Sequence, residues 1–211
     1  MVHKFFPNIK KSEKGVTLIE IIVVILVITL FSLILIADFP KIQKQMALSR
    51  VTYKLAQDLR KVQDLSLSGV KLKDSIGNPI AVKGYGIYID VGNPTKYIIY
   101  ADIDNTHACN YLNQPCSDSL QLCDAPTADP KLDCALEEPV DISKENINLK
   151  ISSIVGINNK NFTSINFRPP DPITDIQNFI SGRPEIVISL YNGLTYRKIS
   201  VNKSGLINVV Q

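Results

Sequence analysis

The chain has little of what an enzyme needs. Its 211 residues include only two histidines, His3 and His107. No GxSxG, HExxH or glycine-rich phosphate loop occurs, and no nucleophile, base and acid fall into a recognisable set. These absences exclude the common hydrolase, metalloprotease and nucleotide-binding designs, so neither an enzyme nor a cofactor is expected. Internal repeats and long low-complexity linkers are lacking too. An excess of one charge is missing from most of the chain. The formal net charge is +3, and the first fifteen residues supply it, through Lys4, Lys10, Lys11 and Lys14 against Glu13. The remaining 19 bases and 19 acids cancel. That remainder has no net attraction for nucleic acid or anionic lipid, although a local patch is compatible with zero net charge. The tail Leu206–Gln211 carries no Arg or Lys, so DNA is not an expected partner.

What the chain does have is one long apolar run. From Val16 to Ile36 every residue is apolar except Thr17, Glu20, Thr29 and Ser32. As a helix rising about 1.5 Å per residue, this run spans roughly one hydrocarbon thickness. A cleavable secretory signal has a shorter core, about 7–15 residues, ending in a small-residue site. Here the candidate site at Ala37 has a poor context, Leu35-Ile36-Ala37. Glu20 is anomalous in a plain anchor, because a charge inside the membrane costs on the order of 2.5 kcal/mol or more near its centre.

The order of these features is specific: a basic leader, Lys14-Gly15, Val16-Thr17-Leu18-Ile19-Glu20, then the apolar run. It closely resembles the class III leader of type IV pilins and type II secretion pseudopilins. The resemblance implies that residues 1–15 are a leader, cut between Gly15 and Val16 by a membrane prepilin peptidase, with methylation of the new amine at Val16. Val16 stands where the family usually has Phe. Residues 16–36 are then a single transmembrane helix, with the N-terminus cytoplasmic, in the inner membrane. The remainder of the chain lies on the periplasmic or extracellular side. The implied partners are the peptidase, membrane lipid, other pilins or pseudopilins in a filament, and an inner-membrane assembly platform. The implied role of Glu20 is filament assembly, through pairing with the freed Val16 amine of the same or a neighbouring subunit.

Residues 37–69 read as an amphipathic helix. Pro40 removes an intrahelical bond, so a kink or local melting is expected there. Beyond it Ile42, Met46, Val51, Leu55, Leu59, Val62 and Leu65 recur on one face, and the helix should end near Gly69. Lys44, Arg50, Lys54, Arg60 and Lys61 fall largely off that face, as a solvated surface. Residues 70–211 are long enough for one β-rich domain. Strand-like runs occur at Gly84–Val91, Lys96–Ala101, Asn148–Val155, Ser164–Arg168, Glu185–Leu190, Thr195–Asn202 and Leu206–Val210. Asn192-Gly193 between two apolar runs is a hairpin signal. The expected fold is α+β: a long N-terminal helix, transmembrane in its first half, packed on an antiparallel sheet.

Within the superfamily, three stretches are similar to the GspH/FimT minor pseudopilins. They are the helix around Leu55–Gln63, the pair Gly84–Tyr88 with Tyr97–Asp102, and the C-terminal strands Ile165–Pro169, Arg197–Val201 and Ser204–Ile207. Residues 106–140 do not match and read as an insertion. All four cysteines lie there: Cys109, Cys116, Cys123 and Cys134. An even set in an exported chain argues for two disulfides, with three possible pairings. Zinc with His107 is the rival, and no CxxC knuckle supports it. The segment is proline-rich and polar, and reads as a surface loop that its bridges stabilise. Asp102 and Asp104, in Asp102-Ile103-Asp104-Asn105, resemble the start of a calcium loop but lack its glycine and distal Glu. The simpler reading is a polar turn after a strand.

Overall fold

A computed structural model describes residues 15–73, 76–111, 114–117, 120–125, 129, 131–169 and 173–210. The leader residues 1–14 lie outside them. The chain divides into two units, Met1–Ile42 and Gln43–Gln211. Helix α1, Leu18–Ser68, begins in the first and ends in the second.

In the first unit the helix runs without interruption through Pro40, so the expected local melting is not found. One proline removes one bond. Melting the surrounding turn would free several more N–H and C=O groups beside an apolar segment and require a new helix nucleus.

In the second unit the buried stripe of α1 is Ala47, Leu48, Val51, Thr52, Leu55, Ala56, Leu59, Val62 and Ser66. Ile42 and Met46, expected on that face, are exposed, and Leu65 is only half-buried. The 3.6-residue period through Leu48, Val51, Leu55, Leu59 and Val62 passes Ile42 and Met46 by. Two hydroxyls on the stripe are satisfied in place. Thr52 Oγ1 donates to the Leu48 carbonyl at 2.7 Å, and Ser66 Oγ to the Phe167 carbonyl at 2.6 Å. Gly69 ends the helix with φ +62, a conformation glycine enters without a Cβ clash.

Among the described residues fourteen strands follow: β1 Leu72–Lys73, β2 Pro79–Ile80, β3 Gly84–Asp90, β4 Lys96–Asp102, β5 Asn110–Tyr111, β6 Gln114–Pro115, β7 Cys134–Ala135, β8 Val140–Asp141, β9 Lys150–Val155, β10 Phe162–Arg168, β11 Ile173–Ile176, β12 Glu185–Tyr191, β13 Tyr196–Asn202 and β14 Ile207–Val210. The layout is the expected α+β, but with two principal sheets rather than one. The larger has the order β11-β10-β3-β4-β7, with β8 also on β4; the smaller has the order β14-β13-β12-β9. All of these pairings are antiparallel. Ile87, Ile99, Ile165 and Phe167 of the larger sheet join Ile186, Ile188, Ile199 and Val201 of the smaller and the α1 stripe in one core.

Both faces of β3 and β4 are buried, which explains their nearly unbroken apolar runs. Tyr88, Ile98 and Tyr100 turn away from the main core and pack with Cys109, Cys116, Leu120 and Ala135 of the insertion. The insertion is therefore not the surface loop expected. It supplies β7 and β8 to the larger sheet and buries all four cysteines, because an apolar sheet face must be covered.

Two glycines of β3 open a passage across that face. A Cβ on Gly86 would stand 2.6 Å from the Ile165 carbonyl oxygen and 2.7 Å from the Tyr100 ring. One on Gly84 would stand 2.6 Å from Asn166 Oδ1. Side chains of β4 and β10 thus meet over β3, most directly where Asn166 Nδ2 donates to Asp102 Oδ2 at 2.6 Å.

Candidate functional site

The sequence singles out two places, and the structure keeps them in separate units. The first is the start of α1. Gly15, Val16 and Thr17 precede the helix and are exposed, and the helix begins at Leu18. Space around Gly15 is open, since a Cβ there would meet nothing within 4 Å. The Thr17 hydroxyl accepts from the Glu20 backbone N–H at 3.3 Å, an N-cap that the pattern Thr17-Leu18-Ile19-Glu20 signals as a capping box. The sequence reading passed over that cap. It gives Glu20 a local merit as well, because a carboxylate in the first turn faces the positive end of the helix dipole.

From Leu18 to Ile36 every residue is exposed. The span is long and apolar enough to cross a membrane. Its interior hydroxyls bond within the helix: Thr29 Oγ1 donates to the Ile25 carbonyl and Ser32 Oγ to that of Ile28, both at 2.8 Å. Such back-bonding is how polar side chains survive in lipid. Among the described residues, no hydrogen bond or ion pair reaches the Glu20 carboxylate. Three of the four polar side chains of this segment, Thr17, Thr29 and Ser32, are thereby bonded within the chain itself, and Glu20 is the one left seeking a partner.

The second place is the insertion. Its cysteines pair as neighbours, Cys109 with Cys116 and Cys123 with Cys134, at Cα separations of 5.5 and 4.9 Å. This selects one of three pairings and uses up the thiolates that zinc would need. His107 takes no part. Its Nε2 meets Arg168 Nη1 at 3.2 Å, and Arg168 pairs with Asp175.

Asp102 and Asp104 do form a polar turn after β4. Asp102 Oδ1 accepts from the Asn105 N–H and Asp104 Oδ1 from the Thr106 N–H, each at 2.9 Å. The sequence reading missed Asp133, thirty residues away, whose carboxylate joins them within 4.8 Å. Asp133 Oδ1 accepts from the Ile103 N–H and Oδ2 from the Asn110 N–H, each at 2.9 Å. The trio thereby fastens the insertion to the end of β4 through backbone donors.

Burial pushes the Asp133 carboxyl up to about 7, against the two N–H bonds that lower it, with Asp104 and Asp102 raising it further. Burial also raises Asp102, opposed by its bonds from Asn166 and Asn105. Both groups hold their protons more tightly folded than unfolded, so their stabilisation is complete below the ordinary carboxylate range and is lost as pH rises toward 7. Asp141, half-buried and bonded by Ser143, is shifted down and opposes the trend weakly. We expect the disulfide-intact chain to melt higher at pH 5 than at pH 8. Each tenfold difference in proton affinity carries about 1.4 kcal/mol. Thermal unfolding across that range checks it, and Asp133→Asn should flatten the profile. A profile rising toward pH 8 would contradict the assignment.

Residues 10–36 match the family model described as the prokaryotic N-terminal methylation motif. Gly15, Val16 and Glu20 all fall inside the matched stretch. No curated protein and no solved structure matches the chain. The motif is a type IV pilin-like prepilin signal. It marks a substrate of prepilin peptidase and, with the exposed apolar helix, points to membrane anchoring and to assembly of the pilin kind.

Proposed function

We propose that the chain is a minor pilin or pseudopilin, a structural subunit of a type II secretion pseudopilus or a type IV pilus, and not an enzyme. Prepilin peptidase of the inner membrane removes residues 1–15 and methylates the Val16 amine. The observation that carries this reading is the methylation motif continuing into a helix that is exposed on every side and interrupted by one carboxylate, Glu20, which has no partner among the described residues. That helix is suited to lipid first and to other copies of itself afterwards.

Of the subfamilies, GspH/FimT fits best. Its resemblance lay in Gly84–Tyr88, Tyr97–Asp102 and the C-terminal strands. These correspond to the adjacent pair β3 and β4, to β10 of the same sheet, to β13 and to the turn that leads into β14. The partners are other pilins or pseudopilins and an inner-membrane assembly platform, with the domain from Gln43 onward on the far side of that membrane.

The test is the intact mass of protein extracted from membranes of a host with a prepilin peptidase. The expected chain starts at Val16 and is heavier by one methyl group. A chain starting at Met1 or Asp38 would remove the basis of the reading.

A further inference from the structure

We infer that the end of the second unit that carries Lys44 is a membrane-surface site, which rests on the anionic headgroups of the bilayer holding the anchor. Two turns form it, at residues 146–149 and 192–195. The Leu149 N–H closes the first on the Asn146 carbonyl at 2.9 Å. Asn192 Oδ1 closes the second, accepting from the Leu194 and Thr195 N–H groups at 2.9 and 2.8 Å. The turns adjoin, since a Cβ on Gly193 would stand 3.6 Å from that of Asn148.

Each turn lifts an aliphatic side chain into solvent. Ile147 is 87% exposed and Leu194 47%. Neither belongs to the core. Behind them Tyr196 stacks on Tyr191 with centroids 4.5 Å apart, and Lys150 Nζ lies 6.0 Å from the Tyr191 ring centre. Lys44 is held by the second turn, Lys144 lies two residues before the first, Lys150 pairs in register with Tyr191, and Lys198 lies two residues beyond Tyr196. Other charges of this surface include Arg197 beside Tyr196, Arg50, paired with Glu145 at 3.2 Å, and Asp141 beside Lys144. Aliphatic tips, tyrosines and lysines together are the chemistry of a membrane interface.

Chain connectivity selects the occupant. Asn192 Nδ2 donates to the Lys44 carbonyl at 2.9 Å, which fixes the second turn to that residue. Lys44 is eight residues beyond Ile36, the last of the apolar run. Even fully extended, eight residues reach no more than about 29 Å. The second turn is therefore tethered within roughly that reach of any bilayer that holds the apolar run. A nucleic acid would engage the lysines but not Ile147 and Leu194. An anionic leaflet engages both, and each lysine near it is worth roughly a fivefold gain in docking.

The chain contains no tryptophan, so Ile147→Trp introduces a unique reporter. Full chain carrying it is reconstituted into vesicles of phosphatidylcholine and phosphatidylglycerol with brominated acyl chains, and into vesicles of brominated phosphatidylcholine alone. We expect blue-shifted, bromine-quenched emission in the mixed vesicles and weaker quenching without the anionic lipid. Changing Lys144, Lys150 and Lys198 together to Glu should lower the docked fraction relative to the undocked by roughly a hundredfold or more. Leu194→Trp should behave as Ile147→Trp does. Leu206→Trp, beside the Gly205 carbonyl that Gln63 holds at the other end of the domain, should stay unquenched. Unquenched emission from both turn positions in mixed vesicles would overturn the inference. So would equal quenching in the two lipids, or quenching that appears only as protein is crowded in the bilayer, the sign of a second copy as occupant.

Discussion

Gly15→Val should leave the chain at full length in the membrane. Gly15 is exposed, lies outside α1, and has open space where a Cβ would project. A valine there changes neither the helix nor the folded domain, and the apolar run that carries insertion is untouched. Any effect must then arise in the peptidase, where a branched side chain obstructs the residue held at the scissile bond. The expected loss of processing is complete, not partial, and with it goes methylation of Val16. Intact-mass measurement of membrane-extracted protein reads both at once. Val16→Phe is the companion variant, because it restores the residue usual in the resembling family, and it should be cut normally. A Gly15→Val chain that still begins at Val16 would show that the glycine is not read.

Glu20→Ala should give a subunit that is cut, methylated and stable in the membrane, yet nearly absent from filaments. Removing a charge lowers the cost of insertion, so nothing in the first stage suffers. In the assembled helical core the proposed partner, the Val16 amine, would be left buried and alone. Breaking a buried pair from one side costs about 3–5 kcal/mol, against roughly 0–1 for a surface pair. That is a loss of a hundredfold or more in incorporation. Glu20→Gln keeps the size and the place in the first helical turn but loses the charge, and should recover incorporation only in part. The Thr17 cap uses the Glu20 backbone N–H, which both variants retain, so helix initiation is common to all three proteins. The measurement is the ratio of subunit in sheared filaments to subunit in membranes. Equal ratios would reduce Glu20 to a dipole partner of its own helix.

Much of the fold was legible because it rests on local signals. The apolar run, the stripe from Val51 to Val62, the paired runs at Gly84 and Lys96 and the Asn192-Gly193 turn all declare themselves within a few residues. What escaped rests on distant ones. Nothing near Lys150–Val155 says that it pairs with Glu185–Tyr191, so two sheets read as one. Ile173–Ile176, four residues after a Pro-Pro pair, is too short to show an alternation. The outward turn of Tyr88, Ile98 and Tyr100 is invisible in a run where inward and outward residues are both apolar. For that reason the insertion read as a loop rather than as a cover. The same holds for the sites. Gly15, Val16 and Glu20 form one contiguous motif, whereas Asp133 joins Asp102 and Asp104 only through folding. Thr17 was legible as a cap but was overlooked beside the charge three residues on.

The neighbour-to-neighbour cystine pattern bears on how the domain matures. The bridges span separations of only 7 and 11 residues. In the orientation proposed above, a chain threaded outward from its N-terminal anchor would present Cys109 and then Cys116 to the oxidising side before Cys123 arrives, and Cys123 before Cys134. In that order of emergence each thiol meets its native partner first. Vectorial export thus acts as a proofreader of connectivity, and the domain reaches its covalent pattern without the reshuffling that interleaved pairs demand, a slow process measured in seconds to hours. The cover over Tyr88, Ile98 and Tyr100 can consequently be clipped together before β9 to β14 have left the membrane.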